Sequence, residues 1–193
     1  MPAIYFTSDL HLGHKKVSEL RGYSSVADHD HEVYKELARL PVTSTLYVLG
    51  DVTLGHILKY TDLPLPMYKH LITGNHDQLV DASLKNPHLN SFRNYLEIFD
   101  TISNRAEIRT SGLRIQLSHY PYAGDHTEED RYDQLRLPDL GNPLIHGHAH
   151  SSQQLSFSPS GTPQVNVCWE AWGRPVTLKE IMRLLNKAKS AIL

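Results

Sequence analysis

Five short stretches of this 193-residue chain place metal-binding side chains at the ends of apolar runs: Asp9 with His11, Asp51, Asn75 with His76, His119, and His148 with His150. Aspartate, asparagine and imidazole without a thiolate form the donor set of an open catalytic site for Mn²⁺ first, or for Fe, Ni²⁺ or Zn²⁺, rather than of a closed structural zinc. Asp9 and His11 stand two positions apart, so a strand continuing to them would turn both side chains to one side, where they could close on one ion. His148 and His150 repeat that spacing. Histidine occurs 13 times, mostly beside Asp, Asn or Gly at the ends of apolar runs, which suits ligands better than core filling.

Two divalent cations would outweigh the charges of Asp9 and Asp51 by about two positive units. A phosphate is the natural guest of such a pocket. Two metals about 3.5–4 Å apart can share a hydroxide that is nucleophilic at neutral pH while clamping the phosphoryl oxygens for in-line displacement. The chemistry implied is hydrolysis of a phosphate ester without a protein nucleophile.

The elements that must position these residues are legible from the apolar patterning. Ala3 to Thr7, Thr45 to Leu49 and Tyr68 to Thr73 are short, β-rich runs, and each ends in a polar cluster, the last two through a glycine: Gly50-Asp51 and Gly74-Asn75-His76-Asp77. They read as buried strands of an α/β sheet, in which ligands gather outside the carboxyl ends of the strands. Between Asp28 and Leu40, Val33, Leu37 and Leu40 recur at helical spacing until Pro41 ends the pattern. Further on, Ala106 to Thr110 and Leu113 to Leu117 flank Ser111-Gly112, the pattern of a β-hairpin. Pro143-Leu144-Ile145, Gln153 to Phe157 and Gln164 to Trp169 complete what is expected to be a second, largely antiparallel sheet. Thr177 and Glu180 form a capping box ahead of a packing helix whose apolar face carries Ile181, Leu184, Leu185 and Ala188.

Bulk properties narrow the function class. The chain is 40% hydrophobic, enough for one sizeable core, and a single domain over 1–193 is expected. A formal charge of −2 and the lack of a basic stripe give no general attraction to a polyanion, so nucleic acid is a disfavoured partner. Cys168 has no second cysteine to pair with, no apolar run reaches membrane-spanning length, and the N-terminus lacks the pattern of a signal peptide. A cytoplasmic protein acting on a small phosphate ester or nucleotide is expected. Protein partners and oligomeric state are not marked in the sequence.

Read together, Asp9-x-His11, Gly50-Asp51, Gly74-Asn75-His76-Asp77, Ser118-His119 and Gly147-His148-Ala149-His150 resemble, in order, the five blocks of the calcineurin-like metallophosphoesterase superfamily. The resemblance implies an α/β fold: a two-sheet β-sandwich flanked by helices in four α/β/β/α layers. It also implies that Asp9, His11, Asp51 and His150 hold one metal, that Asp51, Asn75, His119 and His148 hold the other, and that Asp51 bridges them. His76 takes the place of the family histidine that contacts substrate and protonates the leaving oxygen. Asn166-Val167-Cys168-Trp169-Glu170 with Arg174-Pro175-Val176 resembles the closing segment of a small prokaryotic and phage-like branch of the superfamily.

The chain also departs from the family pattern. Many relatives carry a second acid, three positions after the Asp equivalent to Asp51, that orients the histidine; here that position is Leu54, which accepts no hydrogen bond. Unless Asp77 or another acid substitutes, His76 is expected to bind phosphate more than to donate a proton, which favours good leaving groups or strained cyclic phosphodiesters. The protein phosphatases of the superfamily carry an arginine just after that second acid, used to grip the phosphate; no arginine follows Asp51 here, so a phosphoprotein fits less well.

Other residues have weaker claims. His14 is a candidate to line the substrate cleft, and Arg131 and, behind it, Arg21 are candidate phosphate contacts. Tyr120 and Tyr122 open a stretch to Pro138 that reads as a flap over the site. Alternation turns His146 away from the ligand side, Cys168 is not needed as a ligand, and His29, His31, His56, His70, His88 and His126 read as surface or packing residues. The leading reading is a phosphodiesterase of small or nucleotide diesters, cyclic nucleotides included. The alternatives are a phosphomonoesterase or protein phosphatase, a nuclease using the same metals, and a non-catalytic scaffold that binds metal.

Overall fold

A computed structural model of the chain describes residues 2–77, 89–125, 127 and 130–192. Two five-stranded sheets face each other, flanked by helices, as the α/β sandwich expectation requires. The first has the order β10-β1-β2-β3-β4, where β1 is Ile4–Thr7, β2 Thr45–Val48, β3 Tyr68–Ile72, β4 Thr101–Ser103 and β10 Val176–Thr177. β1 to β4 run parallel in register, while β10 closes the edge antiparallel to β1. Strands buried on both faces need apolar runs rather than alternation, which is why Phe6, Leu46, Val48, Leu71 and Ile72 are all inaccessible to solvent.

The second sheet has the order β5-β6-β7-β9-β8, from β5 (Ala106–Thr110), β6 (Leu113–Leu117), β7 (Leu144–His146), β8 (Leu155–Phe157) and β9 (Pro163–Asn166). The expectation of a largely antiparallel sheet is corrected here. The hairpins β5–β6 and β8–β9 are antiparallel, but β6, β7 and β9 at the centre run parallel. The cause is the connection from 118 to 143, which returns the chain to the end where β6 began, so β7 starts in the same direction. The carboxyl ends of β6 and β7 thereby lie at one edge. In the expected β5–β6 hairpin, Ser111 (φ 48°) and Gly112 (φ 76°) occupy the left-handed region that a two-residue turn of this hand requires.

The helix expected over Asp28 to Leu40 runs from Val26 to Leu37 (α2), because Ser25 caps it by accepting from Asp28 N at 3.0 Å and Pro41 keeps Leu40 out of helical geometry. A short helix α1 (Lys15–Leu20) precedes it, capped by His14 Nδ1, which accepts from Val17 N at 3.3 Å. α2 and α3 (Leu89–Leu96) bury Val33, Leu37 and Tyr95 against the outer face of the first sheet. A second core fills the space between the sheets with Phe6, Leu49, Ile72, Ile115, Leu117, Ile145 and Val165, and α5 (Leu178–Ile192) adds Ile181 and Leu185 to it. Trp169, expected at the end of a strand, instead begins α4 (Trp169–Trp172). Among the described residues, no helix is long and apolar enough to cross a membrane.

The capping box at α5 forms as expected: Thr177 N donates to Glu180 Oε2 at 2.9 Å, and Glu180 N donates to Thr177 Oγ1 at 3.2 Å. The Arg174 guanidinium, 2.6 Å from Glu180 Oε1, does most to hold that carboxyl down at about 2, against 4.5 ordinarily. A depressed carboxyl contributes stability that is complete above about pH 4.5 and lost as the pH falls through about 2. For this partly exposed pair, Glu180→Gln should lower the unfolding free energy by about 1 kcal/mol at pH 7, with the difference fading toward pH 2 in urea titrations at both pH values.

Candidate metal centre

Parallel strands bring five loops to one edge: those after β1 (Asp9, His11), β2 (Asp51), β3 (Asn75, His76), β6 (His119) and β7 (His148, His150). The pairs Asp9/His11 and His148/His150 do not converge by strand alternation, as the sequence reading supposed. β1 stops at Thr7 and β7 at His146, and Asp9, His11, Asp51, His148 and His150 all have left-handed backbones, with φ of 56°, 49°, 55°, 67° and 43°. Such residues lie about 1–2 kcal/mol above ordinary backbone each, so the surroundings must impose the shape.

Arg21 does so from one side, donating through Nη2 to Asp9 O at 2.7 Å and through Nη1 to Leu10 O at 3.2 Å. Asp77 does so from another. Its buried carboxylate accepts from Asp51 N at 3.0 Å, Val52 N at 3.1 Å and Gly74 N at 2.8 Å, tying the β2 and β3 loops together. Glycine is required where these loops touch. A Cβ on Gly74 would lie 2.7 Å from Asp51 N, and one on Gly147 would overlap Ser8 Oγ and lie 2.6 Å from Asp9 Oδ2.

The side chains then meet in two sets. In the first, His11 Nε2 lies 3.2 Å from His150 Nε2 and 3.7 Å from Asp9 Oδ1, and His150 Nε2 lies 3.6 Å from the same oxygen. In the second, Asn75 Oδ1 is 3.1 Å from both His119 Nε2 and His148 Nδ1. Asp51 Oδ2 stands between them, 3.6 Å from His11 Nε2 and 3.7 Å from His119 Nε2.

The opposite ring nitrogens fix what these atoms carry. His119 Nδ1 donates to Leu49 O at 2.7 Å, His148 Nε2 to Asp125 Oδ2 at 3.1 Å and His150 Nδ1 to Glu170 Oε1 at 2.8 Å. One proton of each ring therefore sits on its far side, and the nitrogen facing the centre is the one that can give a lone pair to an ion. Against burial, the Glu170 hydrogen bond and the Asp9 charge push His150 up to about 9, so an ion entering there displaces a proton. Asp9 Oδ1 is buried without a hydrogen-bond partner, while its Oδ2 accepts from His148 N at 2.9 Å and Cys168 Sγ at 3.1 Å.

Lone pairs aimed at one another in a buried pocket suit cations. The acid-base balance agrees: burial, with Asp9 and Asp77 close by, pushes Asp51 up to about 7 although His119 opposes it, a burden that a bound cation relieves. Burial also holds His11 and His148 down at about 4, neutral and able to donate electron pairs. The donor set fits two divalent ions, with Asp9, His11 and His150 on one, Asn75, His119 and His148 on the other, and Asp51 shared.

The remaining candidates fall out differently. His76 is exposed at the mouth, its ring 5.2 Å from that of His11 and 6.1 Å from that of the half-buried His14, which places His14 at the cleft. Leu54 points to solvent, half exposed, and Asp77 is committed to backbone N–H groups, so no carboxylate bonds the His76 ring among the described residues. Arg21, considered as a phosphate contact, is corrected: its side chain is buried and spent on Glu170 and the Asp9 loop. Arg131 is held by Asp125 at 3.0 Å.

The segment after His119 is fastened rather than free where it is described. Tyr122 N donates to Gln164 Oε1, Arg136 Nη1 to Pro121 O and Gly124 O, and the buried Tyr120 ring packs 5.0 Å from His148. His146 is buried and donates to Gly147 O. His29 is buried against Arg21 and Asp30, His31 and His56 are exposed, His70 bonds Thr101, and His88 and His126 lie outside the described residues. Cys168 is no ligand, yet its thiol, raised well above its ordinary value by burial and then by the Asp9 charge, stays protonated and orients Asp9. The sequence reading missed Glu170 and Asp125, the anions behind His150 and His148, because each stands alone and far along the chain from its histidine.

No protein-family model matches the chain. It is 37% identical to the gene 66 protein of Mycobacterium phage L5, over 96% of this chain and 95% of that protein. It is 34% identical to the gene 66 protein of Mycobacterium phage D29, over 100% of both. Among solved structures, a protein of unknown function from Aquifex aeolicus is 26% identical and matches with a TM-score of 0.67, over 95% of this chain and 100% of that one.

Calorimetric titration of the metal-free protein with Mn²⁺ should register two ions per chain. Asp51→Asn should abolish or strongly weaken both, and Asn75→Ala should weaken one while sparing the other.

Proposed function

This chain belongs to one family with the gene 66 proteins of the two mycobacteriophages, and we propose that it is a calcineurin-like metallophosphoesterase, a dinuclear metal-dependent hydrolase of phosphate esters with phosphodiesters as its substrates. The observation that carries the reading is the position of Asp51 Oδ2, 3.6 Å from the His11 lone pair and 3.7 Å from that of His119, which is where a carboxylate shared by two cations must stand. Manganese is the proposed metal, with Fe, Ni²⁺ and Zn²⁺ as alternatives. When bound, such a pair supplies Lewis acidity toward phosphoryl oxygens and ionises water at neutral pH.

The chain's own residues do the rest. Asp51 and Asp9 return fewer charges than the cations bring, so an anionic ester is drawn to this edge although the chain as a whole carries −2. Asn75, His119 and His148 shape the side nearer the Tyr120 wall. His76 and His14 face the open side, where N–H groups can meet phosphate oxygens. With no carboxylate behind its ring among the described residues, His76 is a better phosphate contact than proton donor, and this supports substrates whose leaving group departs unaided, including strained cyclic phosphodiesters. The proposed substrate class is small or nucleotide diesters handled in the cytoplasm by the chain as one domain; the lone, buried Cys168 is in keeping with a reducing compartment.

The test is hydrolysis of bis-p-nitrophenyl phosphate and p-nitrophenyl phosphate by metal-free protein with added Mn²⁺, with Asp51→Ala as the control for contaminating hydrolase. Diester preference, loss with chelator and recovery with Mn²⁺ are expected. Monoester preference would move the assignment to a phosphomonoesterase, and metal binding without turnover above the control would make the chain a scaffold.

A second measurement addresses His76. Across aryl and alkyl diesters, with chemistry rate-limiting, the rate should fall steeply as the leaving alcohol becomes more basic, and His76→Ala should raise KM while leaving that slope unchanged. Equal rates on good and poor leaving groups would show that a proton is being delivered.

A further inference from the structure

Behind the first set of ligands lies a charged assembly that the five sequence blocks do not contain. Glu170 Oε1 accepts from His150 Nδ1 at 2.8 Å, from Arg21 Nε at 2.9 Å and from Arg21 Nη2 at 2.7 Å. The same Arg21 Nη2 donates to Asp9 O at 2.7 Å, and Cys168, two residues before Glu170, donates to Asp9 Oδ2. The start of α4 and one arginine from the end of α1 thus fix two of the three ligands particular to this half.

The two halves differ in charge. The first owns Asp9, and the Glu170 behind its histidine is offset by the single Arg21. The second owns the neutral Asn75, and the Asp125 behind its histidine is flanked by Arg131 at 3.0 Å and Arg136 at 3.8 Å. Arg136 also lies 3.9 Å from Asp130 and 3.6 Å from Asp133, so the difference lies in the ligands: with Asp51 shared, the first half carries one more carboxylate, Asp9 against the neutral Asn75. An anion behind a ligating imidazole makes that imidazole a stronger electron donor.

We propose that Glu170, clamped by Arg21, is a positioning residue that makes the Asp9–His11–His150 half the tighter metal site, so that the two ions load in sequence, first there and then at the Asn75–His119–His148 half. The proposal rests on the reading of the centre as a two-metal site. Glu170 fixes the His150 tautomer, keeping the Nε2 lone pair toward Asp9 Oδ1. Arg21 couples that orientation to the Asp9 loop, so the half is shaped before the metal arrives.

The experiment is a Mn²⁺ titration of the full-length, metal-free protein, followed by calorimetry and by electron paramagnetic resonance, which separates isolated from paired Mn²⁺. Wild type should bind in two steps, with isolated Mn²⁺ at one equivalent. Glu170→Gln should weaken the tighter step ~10–100-fold and leave the other nearly unchanged, while Asp125→Asn should act on the weaker step. Nitrogen-15 histidine spectra of the metal-free protein at alkaline pH, where the ring carries a single proton, should show His150 protonated on Nδ1 in wild type and as a tautomer mixture in Glu170→Gln, a signature that mere loss of packing would not give. If Glu170→Gln does not fold, Arg21→Lys, which keeps the charge and loses the fork, should weaken the same step by a smaller factor.

Two equal sites in wild type, or a folded Glu170→Gln protein that weakens both steps alike or neither, would overturn the proposal. Stepwise loading that responds to Glu170→Gln in a protein that cleaves no phosphate ester would instead overturn the hydrolase reading and leave this one standing.

Discussion

Electron pairs forced to face one another are the constraint around which this molecule is arranged. Three imidazoles of the candidate centre, His119, His148 and His150, give one proton to an acceptor behind them, Leu49 O, Asp125 or Glu170, and turn the other nitrogen toward the centre. There it meets the amide oxygen of Asn75 or a carboxylate oxygen of Asp9 or Asp51 at between 3.1 and 3.7 Å. Without cations these buried donors can only share protons, and against burial the Asp51 and Asp9 charges raise His119; the geometry itself is held by something else. Arg21 grips the Asp9 loop, Asp77 ties the Asp51 loop to that of Gly74, and glycines at 74 and 147 let the loops approach where a methyl group would collide. The rigidity of the backing is what preorganises the site for metal.

The topology serves the same end. Loops from both sheets can meet only if the strands that bear them finish at one edge, which requires parallel neighbours: β1, β2 and β3 in one sheet, β6 and β7 in the other. Antiparallel pairing is confined to β10, β5 and β8, none of which carries a ligand. The long connection from 118 to 143 that makes β7 parallel to β6 also delivers Asp125 to the back of His148. One segment thus sets the strand direction and braces a ligand.

How much of this could be read from the sequence follows from the range of the forces involved. The candidate donors that the structure brings together were legible because metal chemistry restricts residue type, and because each block ends an apolar strand whose burial is a local pattern. The hairpin at Ser111-Gly112 and the capping box at Thr177 and Glu180 were legible for the same reason, since their partners are within a few residues. The left-handed turns at Asp9, His11, His148 and His150 were not, because the modest preference of Asp and His for that region does not single out a position, and contacts distant in sequence, such as Arg21 on the Asp9 loop, fix it. Glu170 and Asp125 were invisible as supports, and Arg21 was misjudged, since a buried ion pair between positions 21 and 170 leaves no periodic trace. The parallel centre of the second sheet escaped because hairpins announce themselves and long returns do not.

The fate of the arginines bears on how an anionic substrate could be held. Arg21 is bound to Glu170, and Arg131 and Arg136 both lean on Asp125, so the guanidinium groups closest to the centre are engaged with acids before any phosphate arrives. Releasing one would expose a buried carboxylate and loosen a ligating histidine, a loss larger than a single surface contact to phosphate would return. In the proposed two-metal hydrolase, positive charge for the substrate comes from the cations themselves, with His76 and His14 offering hydrogen bonds at the mouth. A site built this way couples substrate affinity to metal occupancy more tightly than one with an arginine dedicated to phosphate. Its selectivity would rest on leaving-group chemistry and on the shape of the open side, where no acid among the described residues stands behind His76.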